Sequence, residues 1–101
     1  MARTVVVRYT TRPEAAEENA RLVAAVYEEL DRTRPPGFRY ATSRLADGVS
    51  FVHFAVLEGD DNPLDRSPAF AAFQEAIGDR LAYGPRPAPG TLVGAYGFSA
   101  G

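Results

Sequence analysis

Val49-Ser50-Phe51-Val52-His53-Phe54-Ala55-Val56-Leu57 is the stretch on which the fold turns. β-Branched and aromatic residues fill it, as a strand requires. Successive strand side chains point to opposite faces, so Val49, Phe51, His53, Ala55 and Leu57 share one side. Val52, Phe54 and Val56 share the other. Both sides are largely apolar, and both need cover.

Upstream, Phe38–Leu45 alternates large and polar residues, and Ala46-Asp47-Gly48 is a turn whose glycine supplies a positive φ. The two runs therefore form a hairpin. Before them, Arg3–Thr10 is a β-branched strand, and Thr11-Arg12-Pro13-Glu14 has the form of a capping box, with Pro13 tolerated in the first turn. Ala16, Ala20, Val23, Val26 or Tyr27, and Leu30 recur at helical spacing, which predicts a helix to about Thr33, stopped by Pro35-Pro36-Gly37. Downstream, the acidic loop Glu58–Arg66 leads to Ser67-Pro68, an N-cap followed by a first-position proline. Phe70, Phe73, Ile77 and Leu81 mark the buried stripe of a second helix, with Gly84 as its C-cap. Pro85–Gly90 reads as stiff and extended, and Thr91–Phe98 as a last strand. The order β-α-β-β-α-β is that of a ferredoxin-like α+β domain with a four-stranded antiparallel sheet, expected to occupy residues 1–101 as one unit.

Two helices shield only one face of such a sheet. The face carrying Val52, Phe54 and Val56 would stay bare over roughly 500 Å², more than soluble monomers usually show. Leaving it wet forfeits on the order of 10 kcal/mol. A two-fold homodimer with sheets face to face is the economical remedy, the alternative being that the last strand or acidic loop folds over.

Composition narrows the function. The chain has 101 residues, 46% of them hydrophobic, and eleven basic against thirteen acidic residues leave a charge of −2. No broad basic footprint for nucleic acid exists. No cysteine is present, which excludes disulfides, thiolate chemistry and sulfur-based zinc sites. Met1–Arg8 has too short an apolar run for a signal peptide and no stretch could span a bilayer, so a cytoplasmic protein is expected.

Val5-Val6-Val7-Arg8-Tyr9 before a long helix, and Gly48-Val49-Ser50-Phe51-Val52-His53-Phe54 in the hairpin, carry a family resemblance. Asn62-Pro63-Leu64, Ser67-Pro68-Ala69-Phe70-Ala71-Ala72-Phe73 and Val93-Gly94-Ala95-Tyr96 extend it over nearly the whole chain. In these stretches the sequence resembles the antibiotic biosynthesis monooxygenase family of the dimeric α+β barrel superfamily. The resemblance implies a homodimer and, in each subunit, a pocket between sheet and helices. It does not by itself imply catalysis. For an enzyme, the resemblance implies cofactor-independent oxygenation or proton-transfer chemistry on an aromatic or polyketide-type substrate, whose electron-rich ring would supply the electrons to oxygen. Three departures stand out. The Trp that oxygenase members often carry late in the third strand is replaced by Ala55-Val56-Leu57. The first strand offers Val7, Arg8 and Tyr9 where haem-degrading relatives commonly have Asn. The second helix lacks their haem-ligating His. Haem degradation is therefore not expected, and no cofactor or metal is.

His53 is the only histidine. An imidazole with an ordinary pKa near 6.5 can take a proton from a phenol with little tuning, so one reading makes it the general base; the other makes it a hydrogen-bonded core residue. Metal ligation is disfavoured because no second His or Cys exists and Glu58 has the wrong strand parity. Arg8 interrupts a valine-rich strand and must find solvent, a carboxylate or a ligand. If it shares the pocket face, it or a tyrosine hydroxyl could stabilise a developing oxyanion; otherwise an acid in the first helix or a partner chain pairs with it. Tyr9, Tyr40, Tyr83 and Tyr96 are amphipathic candidates for pocket walls. The expected ligand-binding set is Tyr9, Phe51, Leu57 and Phe73, with Arg80 and Tyr83 overhanging the mouth one turn apart. Asp60–Asp65 lacks the spacing of a calcium loop. The rival to an enzyme is a non-catalytic dimeric module, and a ligand sensor partnering a transcription regulator lacks any basic element.

Overall fold

The computed structural model describes residues 2–75 and 77–96. Strands β1 (Arg3–Thr11), β2 (Phe38–Arg44), β3 (Ser50–Leu57) and β4 (Leu81–Thr91) form one antiparallel sheet in the order β2-β3-β1-β4. Helices α1 (Ala16–Thr33), α2 (Pro68–Gln74) and α3 (Ile77–Arg80) complete the α+β architecture expected from the sequence. The hairpin pairs Arg44 with Phe51 and Phe38 with Leu57. Its turn is tied by Asp47, whose carboxylate accepts from the Val49 and Ser50 amides and from the Ser50 hydroxyl, while Gly48 takes a φ of 80°. These bonds hold the Asp47 carboxyl below the usual carboxylate range.

The core joins Tyr9 and Phe51 on the sheet to Val23 and Val26 of α1, Phe73 of α2 and Leu64 of the preceding turn. Odd-numbered β3 residues thus face the helices, as strand parity requires. Ser67 caps α2 by accepting from the Phe70 amide, and its hydroxyl donates to Glu29 of α1. Glu29 also accepts from the Ala69 amide at 3.0 Å. One carboxylate therefore staples the start of α2 to α1, and the two donors lower its pKa.

Three local expectations are corrected. The capping box does not form, because β1 runs on to Thr11 and both its amide and its hydroxyl bond the Val49 carbonyl. The second helix is shorter than its apolar spacing implies and breaks after Gln74, and Leu81 already belongs to β4. Gly84 is consequently no helix cap. It sits in β4 at φ 96°, beside the irregular pairing between Arg8 and Thr10, where an added Cβ would lie 2.9 Å from the Tyr9 Cβ.

The Pro-rich stretch is itself the last strand, whereas residues 92–96 are not strand and 97–98 lie outside the described residues. An edge strand explains this. Pro87 and Pro89 stand opposite Val7 and Val5, and alternate residues Arg86, Ala88 and Gly90 stand opposite Arg8, Val6 and Thr4. Only the second set needs amide hydrogens turned toward β1, so prolines at the first set cost the ladder nothing. They also strip donors from the outer edge, which blunts strand addition there.

On the sheet's other face, Val6, Val52 and Phe54 are half-buried and Val56 is fully buried, with Thr4 and Arg39 as its cross-strand neighbours. Arg39 is held by Glu58 at 2.8 Å. The apolar centre of this face is therefore smaller than the strand pattern alone implies.

Candidate functional site

A cavity of about 260 Å³ opens between the sheet and the helical layer. Val5, Val7 and Ala55 form its floor, Leu64, Phe70, Phe73 and Ile77 its roof, and Pro85 and Pro87 one flank. The polar atoms on this wall come from Tyr9, Tyr40, His53, Asn62 and Gln74. The space is apolar, with a few convergent hydrogen-bonding groups, as small-molecule sites are.

His53 stands at the centre. It is only 5% exposed and is boxed by the rings of Tyr9, Tyr40 and Phe73, with centroids 5.3, 5.8 and 5.5 Å away. Both ring nitrogens are engaged. The Tyr9 hydroxyl lies 2.7 Å from Nε2, while the Tyr40 hydroxyl at 2.6 Å and the Thr42 hydroxyl at 3.2 Å meet Nδ1. The network continues both ways. Asn19 Nδ2 donates to the Tyr9 oxygen at 2.9 Å, Arg80 Nε donates to Asn19 Oδ1 at 3.2 Å, and Tyr27 bonds Thr42 at 2.6 Å. Burial pushes the Tyr9 phenol up to about 12 although Asn19 and Arg80 pull the other way, and it raises Tyr27 and Tyr40 as well. The same desolvation lowers His53 to about 4, so the imidazole is neutral at pH 7. The expectation of a base with an untuned pKa is thereby corrected.

The expected site residues separate into groups. His53, Tyr9 and Phe73 border the cavity together. Phe51 and Leu57 share their face but are sealed in the packed core, at 2% and 1% exposure, and do not line the space. Arg80 does not overhang a mouth. It is buried, stacks on Phe73, and donates to the Phe73 and Glu75 carbonyls as well as to Asn19. Tyr83 is 72% exposed, opposite Thr10, and Tyr96 is fully exposed, so neither lines the cavity. Arg8 is exposed and pairs in register with Val52 and Arg86, while its neighbours Val7 and Tyr9 border the cavity. Strand parity therefore puts Arg8 on the sheet's far face, and within one subunit it cannot reach a molecule held against His53.

Asn19 is the residue that sequence reasoning missed. It is fully buried on the stripe Ala16, Asn19, Val23, Val26, where its amide interrupts an apolar run. A polar residue at a core position of a helix is a signal in itself, since such a group must be paired. Among the described residues no cluster of His, Asp or Glu could hold a metal ion, and no helix is long and apolar enough to cross a membrane.

No family model and no curated protein sequence matches the chain. Solved structures do. A variant of SnoaB, a cofactor-independent oxygenase from Streptomyces nogalater, is 24% identical with a TM-score of 0.67, over 95% of this chain and 97% of that one. A monooxygenase from the Streptomyces coelicolor gene ActVA-Orf6, solved with nanaomycin D, is 22% identical with a TM-score of 0.68, over 94% and 90%. A Nitrosomonas europaea protein, provisionally named an antibiotic biosynthesis monooxygenase, reaches 0.74 at 15% identity, over 91% of each chain. The chain has the fold of the antibiotic biosynthesis monooxygenases.

Proposed function

We propose that this protein binds a small, largely apolar aromatic molecule bearing oxygen substituents in the cavity beneath α2, and oxygenates it without a cofactor. The observation that carries the reading is an apolar cavity of about 260 Å³ on which one histidine and two tyrosine hydroxyls converge. That volume lies just below the roughly 300–1,000 Å³ of typical small-molecule sites, which favours a molecule of one or two rings. The likeness to two Streptomyces oxygenases, one solved with nanaomycin D, supports the reaction class.

His53 is the group that draws a phenolic proton into the site. A neutral imidazole held near a pKa of 4 is a weak base against a solvated phenol. Beside a phenolate in an apolar cavity it gains the attraction of an ion pair, which offsets part of that cost. Tyrosine hydroxyls donating to the phenolate oxygen stabilise the same charge. The electron-rich ring then reduces dioxygen: one oxygen atom enters the ring as a quinone carbonyl, the other leaves as water, and the substrate supplies all the electrons. Arg8, on the far face, takes no part within its own subunit.

The functional unit is a homodimer joined through the face that carries Val6, Val52 and Phe54. The half-buried apolar centre of that face supports this arrangement. A second reading, a binding module without turnover, is favoured by one fact: both nitrogens of His53 already have partners. The discriminating experiment follows oxygen uptake and ¹⁸O incorporation on a panel of electron-rich phenols and naphthols. Turnover that falls by ~10²-fold in His53→Ala, with the fold intact by circular dichroism, supports the enzyme. Binding without uptake, or uptake unchanged by the substitution, refutes the catalytic reading.

A further inference from the structure

The buried network around His53 has a polarity, and one residue sets it. A guanidinium only donates hydrogen bonds. Arg80 is 5% exposed, and its Nε reaches Asn19 Oδ1 at 3.2 Å while its other nitrogens are held by the Phe73 and Glu75 carbonyls. The Asn19 oxygen is therefore committed as acceptor, and its amide nitrogen must be the atom that faces Tyr9. Since Asn19 Nδ2 donates to the Tyr9 oxygen, the Tyr9 hydroxyl hydrogen is left to point at His53 Nε2, 2.7 Å away. An Nε2 that accepts leaves the proton of a neutral imidazole on Nδ1, where the Tyr40 and Thr42 oxygens receive it.

We infer that Arg80 and Asn19 are positioning residues that fix His53 in its Nδ1-protonated tautomer. The opposite tautomer would leave the Tyr9 hydroxyl hydrogen without an acceptor inside the core, or would require Asn19 to turn its amide nitrogen toward a guanidinium. Either is disfavoured by more than about tenfold, as for any buried hydrogen bond left unmade. Neither residue touches the imidazole; they act through Tyr9. Tyr9 also borders the cavity, and its oxygen, which accepts from Asn19 and donates to Nε2, keeps one acceptor position. On the oxygenase reading proposed above, a phenolic proton then passes to the Tyr9 oxygen as the tyrosine's own proton passes to His53 Nε2. The tautomer assignment itself does not depend on that reading.

The chain's single histidine makes the test direct. Long-range ¹H–¹⁵N correlation on uniformly ¹⁵N-labelled protein at pH 7, with no ligand present, reads the protonation of each ring nitrogen. The native protein is expected to show a pyrrole-type Nδ1 and a pyridine-type Nε2, and a protonated Nε2 overturns the inference. In Asn19→Asp, a nearly isosteric carboxylate that only accepts, the Tyr9 hydroxyl should turn to residue 19 and the signature should invert to Nε2–H. An unchanged tautomer in this folded variant overturns the inference. Arg80→Met frees the Asn19 amide to rotate and should give a mixture of tautomers. A pure Nδ1–H signal there overturns the part assigned to Arg80. Because no turnover is measured, these results stand apart from the outcome of the oxygenase assay.

Discussion

Mild acid should destabilise this protein mainly through one side chain. His53 has a folded-state pKa of about 4 because burial penalises its charged form, whereas in the unfolded chain it titrates at the ordinary value of 6.5. Between those values the unfolded chain binds a proton that the native protein does not, so stability falls as pH falls from about 6.5 toward 4. The slope approaches about 1.4 kcal/mol per pH unit, giving a loss of roughly 2 kcal/mol between pH 7 and pH 5 and about 3 kcal/mol over the full window. For a domain of this size that is a large share of an expected 5–15 kcal/mol, an order-of-magnitude range. Glu29 and Asp47 also lose stabilising interactions in acid, but their pKa values are lowered from 4.5 and 3.8, so most of their effect falls below about pH 5. The window above pH 5 therefore belongs to the histidine. Urea unfolding at a series of pH values, followed by tyrosine fluorescence since the chain has no Trp, measures the loss at fixed protein concentration. His53→Asn, which removes the titrating group, should flatten the profile between pH 7 and 5 while lowering stability overall. A native profile that is already flat there would refute the argument that His53 is buried as a neutral group.

Four further outcomes are expected. Gly84→Ala should destabilise by roughly 2 kcal/mol or more in denaturant unfolding, because φ 96° strains any side chain and the new Cβ meets Tyr9 at 2.9 Å; a neutral effect would deny that approach. Ser67→Ala removes both the cap of α2 and a donor to Glu29, and should cost about 1 kcal/mol in the same measurement. Ala55→Leu places a branched side chain in the cavity floor and should weaken binding of a naphthol by more than about tenfold in calorimetry with the fold retained. Val52→Asp puts a charge on the sheet's apolar face and should shift sedimentation from dimer to monomer; a native protein that already sediments as a monomer refutes the dimer.

The alternation in Val49–Leu57 was enough to assign His53 to the helix side and Val52 to the other, because strand parity is a local property. Arg8 shows its limit. Parity places Arg8 opposite Val7 and Tyr9, but which of the two sets meets the helices depends on a pairing with residues more than forty positions away. The second helix and the last strand depart from their local patterns for a related reason. Apolar spacing continues through Ile77 and Leu81, and prolines discourage a strand, yet pairing with β1 claims Leu81–Thr91 and only an edge position makes its prolines harmless.

The candidate site divides the same way. Composition and periodicity by themselves determined an α+β plait with a histidine on its helix-facing side, since each element carries its own amphipathic pattern. Only tertiary structure decided that Arg80 would meet Asn19, sixty-one positions away in the sequence, and that Asn19 would meet Tyr9 and through it His53. Hydrogen-bond polarity and desolvation are properties of a three-dimensional neighbourhood. They turned an ordinary imidazole into a neutral, doubly bonded one, and no window along the chain contains that information.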